Sequence, residues 1–366
     1  MSKDEVPRVS VVVPAYNVEN YIEGCLRSLC AQSEKSLEIL VVDDGSKDRT
    51  GERVERLAAG DSRIRYIRQE NGGASRARNR GLDEARGRYV AVQDADDYSH
   101  PERLKAQADF LDANPTIGVV GMNARLVLGR SRFGGVVAPP TKVGDVRTRA
   151  QVKMAFVHPS VMLRGELVAG GLRYDPTIVS AEDQDFLARA IALTDGTSLP
   201  LPLYFYRVGG DQLTVRHVVD GVMRSAWLSH ARVHSLEKGA GLERLRARST
   251  RDEALGLGIP AKTLDGEIAA RFEYVLRLTS MAGNRDAIAG LVAQVRSYAA
   301  DIVDPAMKAR FDALELVYGR ALHLRASGAI VREVSALIKR EARYRLHVAK
   351  TNIECRKWNY NPDDIV

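Results

Sequence analysis

The stretch SLEILVVDDGSKDRT, residues 36–50, drives an apolar run into two aspartates, a glycine and a polar tail. The β-branched run before Asp43 reads as a buried strand. Gly45 permits a tight turn that brings the backbone close to a ligand. Ser46 reads as the N-cap of a polar helix that stops at Gly60. The same alternation recurs on both sides. RVSVVVP (8–14) is a strand stopped by Pro14. NVENYIEGCLRSLCAQS (17–33) has helical spacing, with Ile22, Leu26 and Leu29 on one face and Asn17 as its cap. RIRYIRQ (63–69) is a short strand, and GGASRARNRGLDEARG (72–87) a helix opening on glycines. RYVAVQD (88–94), HPERLKAQADFLDANP (100–115) and TIGVVGMNARLVLG (116–129) continue as strand, helix, strand. This order predicts parallel strands with right-handed crossovers, an open, mostly parallel α/β sheet flanked by helices. Ligands bind such sheets at the carboxyl ends of the strands.

The text changes along the chain. Residues 130–215 are mixed, with SAEDQDFLARAIAL (180–193) reading as a helix that starts at Ser180 or Ala181. After about 216 strand runs vanish and helical spacing dominates, as in IAARFEYVLRLTSMAG (268–283). The expected division is a catalytic domain, 1–217, and a helical C-terminal region, 218–366. A chain of 366 residues with 45% apolar content supports full cores and excludes global disorder. No apolar run reaches the roughly 18 residues of a membrane span, and the first residues lack a signal-peptide core. Cys25, Cys30 and Cys355 follow no metal-ligand spacing and read as reduced thiols of a cytoplasmic protein.

Acids gather where strands end. Asp94-Ala95-Asp96 places two carboxylates on one face of extended backbone, which suits a divalent cation that a phosphate completes. The same residues, with Asp97, also make good turn and helix-cap chemistry. Asp43 and Asp44 are placed either to accept the N3–H edge of a nucleobase or to form an Asx turn. Tyr16, just past Pro14, is placed to stack on that base. Arg76, Arg78 and Arg80 cannot all face one direction on a helix, and Arg78 is the choice for the crevice. Glu182, Asp183 and Asp185 form a third cluster at a helix start. A carboxylate there can take the proton of an attacking hydroxyl, while the helix dipole keeps it ionised and lowers its basicity. Acids also favour first helical turns for purely structural reasons.

Taken together, VSVVVPAYN, LEILVVDDGSKDRT, NGGASRARNRGLDEARGRYVAVQDADD, PERL and AEDQDFLAR, in this order, resemble the family 2 glycosyltransferases of the GT-A fold. The resemblance is specific over about residues 8–130, fair to about 215, and says little beyond. It implies an inverting transfer from a nucleoside-diphosphate sugar, UDP by the family's habit, to a hydroxyl of a glycan or polyprenyl-linked acceptor in bacterial surface polysaccharide synthesis. It implies Mn2+ or Mg2+ on Asp96 and Asp94. It implies Asp183, with Glu182, as base. Donor contacts fall to Pro14, Tyr16, Asp43, Asp44, Arg78, Asp94, Ala95 and Arg207. His158 falls on the acceptor side, and residues 206–214 on a segment closing over the diphosphate. No histidine stands in that segment, and His217 lies just past it. A sugar-nucleotide nucleotidyltransferase would need a glycine-rich basic loop where PAYNVEN stands, and a non-catalytic scaffold would not need all these acids.

Net charge is +7, and residues 321–360 hold nine lysines and arginines against three acids. This region reads as a solvated helix face, or as a surface for anionic lipid at the inner face of the cytoplasmic membrane. An oligomer contact is a further reading, marked by Trp358 in the basic stretch. No nucleic-acid motif accompanies the charge, so nucleic acid is not expected.

Overall fold

The computed structural model describes residues 6–128, 132–152, 154–178, 181–208, 255, 261–282, 285–319, 332–340 and 342–343. These fall into two compact units. The first holds residues up to Arg125 and Val136–Arg207; the second holds Leu126–Gly135 and the helical residues after Val208. The division expected at 217/218 falls outside the described residues. Leu126–Gly135, expected within the first domain, groups with the helices instead.

The strands are β1 (Val9–Ala15), β2 (Leu37–Asp43), β3 (Ile64–Arg68), β4 (Tyr89–Val92), β5 (Tyr98–Ser99), β6 (Ile117–Leu128), β7 (Arg132–Val137), β8 (Met162–Arg164) and β9 (Asp195–Val208); Leu126–Leu128, Arg132–Gly135 and Val208 of these fall in the second unit. The helices are α1 (Ile22–Cys30), α2 (Thr50–Ala58), α3 (Ala74–Glu84), α4 (Arg103–Ala113), α5 (Val143–Val152), α6 (Gly165–Ala169) and α7 (Glu182–Leu193). The sheet runs β3-β2-β1-β4-β8-β6-β9-β5, with β7 on β6. β3, β2, β1 and β4 are parallel, as the crossovers require. The parallel character stops there. β8 runs antiparallel to both β4 and β6, and β5 antiparallel to β9. The expected mostly parallel sheet is therefore mixed. The reason is connectivity: after α4 the chain enters β6 one place away from β4, and β8 arrives from a loop to fill the gap.

Strand pleating explains the two-sided burial. Val9, Val11, Val13, Ile39 and Val41 face one cluster, which α1 covers with Ile22, Leu26 and Leu29 and α4 with Leu104 and Leu111. Val12, Leu40, Val90 and Val92 face the other, closed by Leu82 of α3 and by Phe186 and Leu187 of α7. Each fully buried Val, Leu or Ile contributes roughly 1.5–3 kcal/mol.

The second unit has its own core. Helices α8 (Ala261–Ala282), α9 (Arg285–Ala299) and α10 (Pro305–Gly319) bury Ile268, Phe272, Leu276, Leu291, Val295, Phe311 and Leu314. Residues 332–340 add a helical stretch that contributes Leu337 to this core. Among the described residues, no helix is long and apolar enough to cross a membrane. Cys355, Trp358 and most of 321–360 lie outside the described residues.

Arg103 holds the end of β4 in place. It is fully buried, and donates to Gln93 Oε1 (2.7 Å), Ser99 Oγ (2.9 Å), the carbonyls of Val92 (2.8 Å) and Pro159 (3.1 Å), and Gln107 Oε1 (3.2 Å). Replacing Arg103 with Leu orphans several buried acceptors at about 1–3 kcal/mol each. Urea denaturation of Arg103→Leu is expected to register a loss of about 3–5 kcal/mol.

Candidate active site

Register sets the site. Ala15 at the end of β1 lies opposite Asp43 of β2, and Val12 lies opposite Val92 of β4. The chain steps outward from β1 to β3, then returns to the other side of β1 for β4. The crevice opens at that reversal, beyond the carboxyl ends of the strands.

The loops after β1 and β2 are stitched together. Asn17 adopts a left-handed φ of 51°, donates its N–H to Ser46 Oγ (3.0 Å), and accepts the Lys47 N–H on Oδ1 (2.8 Å). The N–H groups of Val18 and Glu19 go to Thr50 Oγ1 and Asp48 Oδ2. Two expected caps are thereby corrected. Asn17 caps no helix, because α1 begins only at Ile22, and Ser46 is spent on Asn17 while α2 begins at Thr50. Past β1, Tyr16 is 45% exposed, and Pro14 is half-buried.

Asp43 departs from its expected donor role. It is fully buried, accepting the Ser46 N–H (2.8 Å) on one oxygen and the Tyr66 hydroxyl (2.6 Å) on the other. It ties its own turn, the alternative its position left open. Asp44 accepts three donors: Gln69 Nε2 (2.7 Å), Gly72 N–H (2.9 Å) and Gly73 N–H (2.8 Å). Gly73, at φ 88°, is the N-cap of α3, so Asp44 pins the start of that helix. A carboxylate has about four lone-pair sites, so roughly one remains for a base.

The acids after β4 sit in a strong negative field. Asp97 is buried and accepts the Tyr204 hydroxyl (2.7 Å) and the Arg207 N–H (2.7 Å). Burial pushes its carboxyl well above the usual range, and the charges of Asp96 and Asp94 push it further. Burial and the same three acids also raise the Cys25 thiol. Asp94 and Asp96 are half-buried, while Ala95 packs in the core. The Arg207 guanidinium donates to the Asp96 carbonyl (2.9 Å) and lies 4.8 Å from the ring centres of both Tyr21 and Tyr98.

Arg78 joins this corner to the third cluster. It is buried, whereas Arg76 and Arg80 are exposed. It donates to Asp94 Oδ1 (3.3 Å) and Glu182 Oε1 (2.8 Å). Burial alone would pull the guanidinium down, but Asp94 and Glu182 more than reverse it. Asp183 follows Glu182 at the start of α7, after Ala181 in the left-handed region at φ 63°. Burial and the Glu182 charge lift the Asp183 carboxyl to about 7, against the pull of Arg78 and the Gln184 N–H. The expected lowering by the helix terminus is overridden by desolvation.

His158 is buried behind this layer rather than lining it. Its Nε2 meets the Tyr174 hydroxyl at 2.7 Å, and burial holds it well below the usual imidazole range. Tyr174 stacks on Phe186 at 3.9 Å and lies 5.5 Å under Arg78. Asn79 clamps the Tyr174 backbone with two 2.8 Å bonds. Tyr174, Asn79, Tyr204 and Arg103 were not anticipated. Arg103 and Gln107 carry a sequence signal, a polar pair four apart beside the apolar Leu104, Ala108 and Leu111. Ser180, residues 209–214 and His217 lie outside the described residues.

A cation fits Asp94 and Asp96. Both are hard oxygen donors at the crevice, inside a field negative enough to raise a buried thiol and a neighbouring carboxyl. Among the described residues no three His, Cys, Asp or Glu side chains form a complete metal cage. Two carboxylates suit an ion whose other positions go to phosphate and water.

The glycosyl transferase family 2 profile matches residues 10–153, which carry β1 to α5 and the acids at strand ends described above, Asp43, Asp44, Asp94, Asp96 and Asp97. Over that stretch the chain is similar to glycosyl transferase family 2. The succinoglycan biosynthesis protein ExoO of Rhizobium meliloti is 34% identical over 201 residues, 52% of this chain and 57% of its own. Four other curated relatives are spanned for 13% to 63% of their length, less than two thirds in each case. Two solved structures share the fold. S. aureus TarS 1-349 in complex with UDP-GlcNAc has 21% identity, TM-score 0.51 and coverage of 87% of this chain and 93% of its own. The mannosyltransferase PcManGT of Pyrobaculum calidifontis, in complex with GDP-Man and Mn2+, has 20% identity, TM-score 0.51 and coverage of 96% and 88%.

The raised Asp183 carboxyl has a stability cost. Its folded form prefers the proton, so stability falls as pH rises from the ordinary carboxyl value of about 3.9 to about 7. Asp183→Asn is expected to melt above the parent at pH 8, with the margin shrinking toward pH 4. Thermal melts across that range check it.

Proposed function

We propose that this chain transfers a sugar from a nucleoside-diphosphate donor to an acceptor hydroxyl, with inversion at the anomeric carbon. The observation that carries the reading is Arg78, which holds Asp94 and Glu182 on one guanidinium and so joins a donor-side acid to the acid pair of α7. The GDP-Man and Mn2+ of PcManGT and the UDP-GlcNAc of TarS support a nucleotide-sugar donor on this fold. The name of ExoO supports a place in bacterial polysaccharide synthesis.

Each residue then has a task. Tyr16 stacks on the base, and Asp44 accepts its N3–H with its remaining acceptor site. Uracil is the proposed base, because the sequence resembles enzymes that use it. Asp96, with Asp94, holds Mn2+ or Mg2+, which when bound neutralises charge on the diphosphate. Arg207, held between two tyrosine rings, presents a guanidinium to the leaving phosphate. Asp183 takes the proton from the acceptor hydroxyl as that oxygen attacks the anomeric carbon from the face opposite the departing diphosphate. One displacement inverts the centre. A carboxyl lifted to about 7 is a far stronger base than an ordinary aspartate, yet is still largely ionised slightly above neutrality. Glu182 keeps Arg78 in register and raises Asp183 by its charge. The acceptor is a glycan or a polyprenyl-linked sugar.

Asp183→Asn should bind UDP-sugar with unchanged affinity and lose transfer by about 100- to 10,000-fold. Initial rates from pH 5 to 9 should fall on the acid side of about 7, where Asp183 is protonated. Asp96→Ala should abolish the Mn2+-dependent thermal shift by UDP-sugar. Normal transfer by Asp183→Asn would remove the base assignment, and an intact Mn2+ effect in Asp96→Ala would remove the metal site.

A further inference from the structure

Far along the sequence, the helical unit gathers three arginines around one buried carboxylate. Glu273 of α8 is 6% exposed. Its Oε1 accepts Arg277 Nη2 and Arg340 Nε, each at 2.7 Å, and its Oε2 lies 3.9 Å from Arg310 Nη2. The arginines come from three elements: α8, α10 and the stretch 332–340. Beside them is a cavity of about 240 Å³ lined by Ala270, Glu273, Tyr274, Arg277, Arg310 and Arg340.

Among the described lining residues, three guanidiniums face one carboxylate around a concave space, an excess of positive charge. The two terminal nitrogens of Arg340 donate to no other described residue, and its side chain is 34% exposed. Among the described residues, Arg310 makes a long 3.5 Å bond to the Gly266 carbonyl besides its loose approach to Glu273. A structural ion pair needs one arginine. Converging two more raises the electrostatic energy of the folded unit unless an anion shares the cavity.

We propose that this cavity binds a phosphate-bearing small anion. A second carboxylate would leave one charge over, whereas a phosphate monoester or diphosphate carries close to two negative charges at neutral pH. Guanidinium forks match phosphate oxygens in pairs. The volume is below the roughly 300–1,000 Å³ of sites that enclose drug-sized ligands. It suits a phosphoryl head rather than a whole nucleotide. The site belongs to the second unit and is separate from the donor crevice, so it stands apart from the sugar-transfer reading.

Isothermal titration of the full chain with inorganic pyrophosphate, in EDTA, tests the assignment. EDTA withholds the divalent ion that the proposed donor site requires. Binding should weaken with rising salt. It should weaken about tenfold or more in Arg340→Gln and in Arg310→Gln, as expected for lost charged hydrogen bonds. Asp96→Ala should leave it unchanged. Ligand-free melting curves check that each variant folds, and Arg310→Gln, the more loosely engaged residue, carries the test if Arg340→Gln does not. A parallel arm sediments the chain with phosphatidylglycerol/phosphatidylcholine vesicles and with phosphatidylcholine alone. Sedimentation that needs phosphatidylglycerol and is lost in the variants identifies a lipid headgroup as the source. Pyrophosphate binding without sedimentation identifies a soluble phosphate compound. Absence of both, or binding that neither variant weakens, overturns the proposal.

Discussion

Everything at the crevice depends on one buried cation among three acids. Without Arg78, Asp94, Glu182 and Asp183 would repel one another across a poorly solvated gap. With it, two acids are bonded to the same guanidinium and Asp183 stays close enough to feel both neighbours. The guanidinium is planar and forked, so it fixes direction as well as distance, which a lysine would not. Its position is in turn fixed by the ring of Tyr174, by Phe186 behind that ring, and by Asn79 on the Tyr174 backbone. Acidic chemistry at this site is a property of a packed layer rather than of a few exposed side chains.

Arg103 solves a different problem with the same residue type. It has no direct carboxylate partner and is surrounded by neutral acceptors. Burial accordingly lowers it to about 10, while the fields of Tyr204, Cys25 and Asp97 resist. The two arginines bracket the acidic turn, Arg103 from α4 through Gln93 and the Val92 carbonyl and Arg78 from α3 through Asp94.

Much of this was legible from the sequence, and the failures have common causes. Strand and helix order through α4 follows from apolar periodicity, and helical geometry keeps Arg76, Arg78 and Arg80 from all facing one direction. The antiparallel half of the sheet was not legible, because β8 has only three residues and its neighbours come from distant segments. Asp43 and Asp44 look equivalent in sequence. Only the Tyr66 hydroxyl and the Gly72–Gly73 amides, both remote, tell them apart. The basicity of Asp183 was misjudged because the helix terminus is a local signal and desolvation is a tertiary one. Ser46 and Asn17 were assigned to their own helices, whereas each bonds to the other's loop.

Helix α3 links two of these features mechanically. Asp44 grips its first turn through Gly72 and Gly73, and Arg78 projects from the same rod, about 7.5 Å further along at 1.5 Å per residue. The anchor at Asp44 and the guanidinium that spans the gap between the acids thus meet on one helix, so the two sides of the crevice share a single mount.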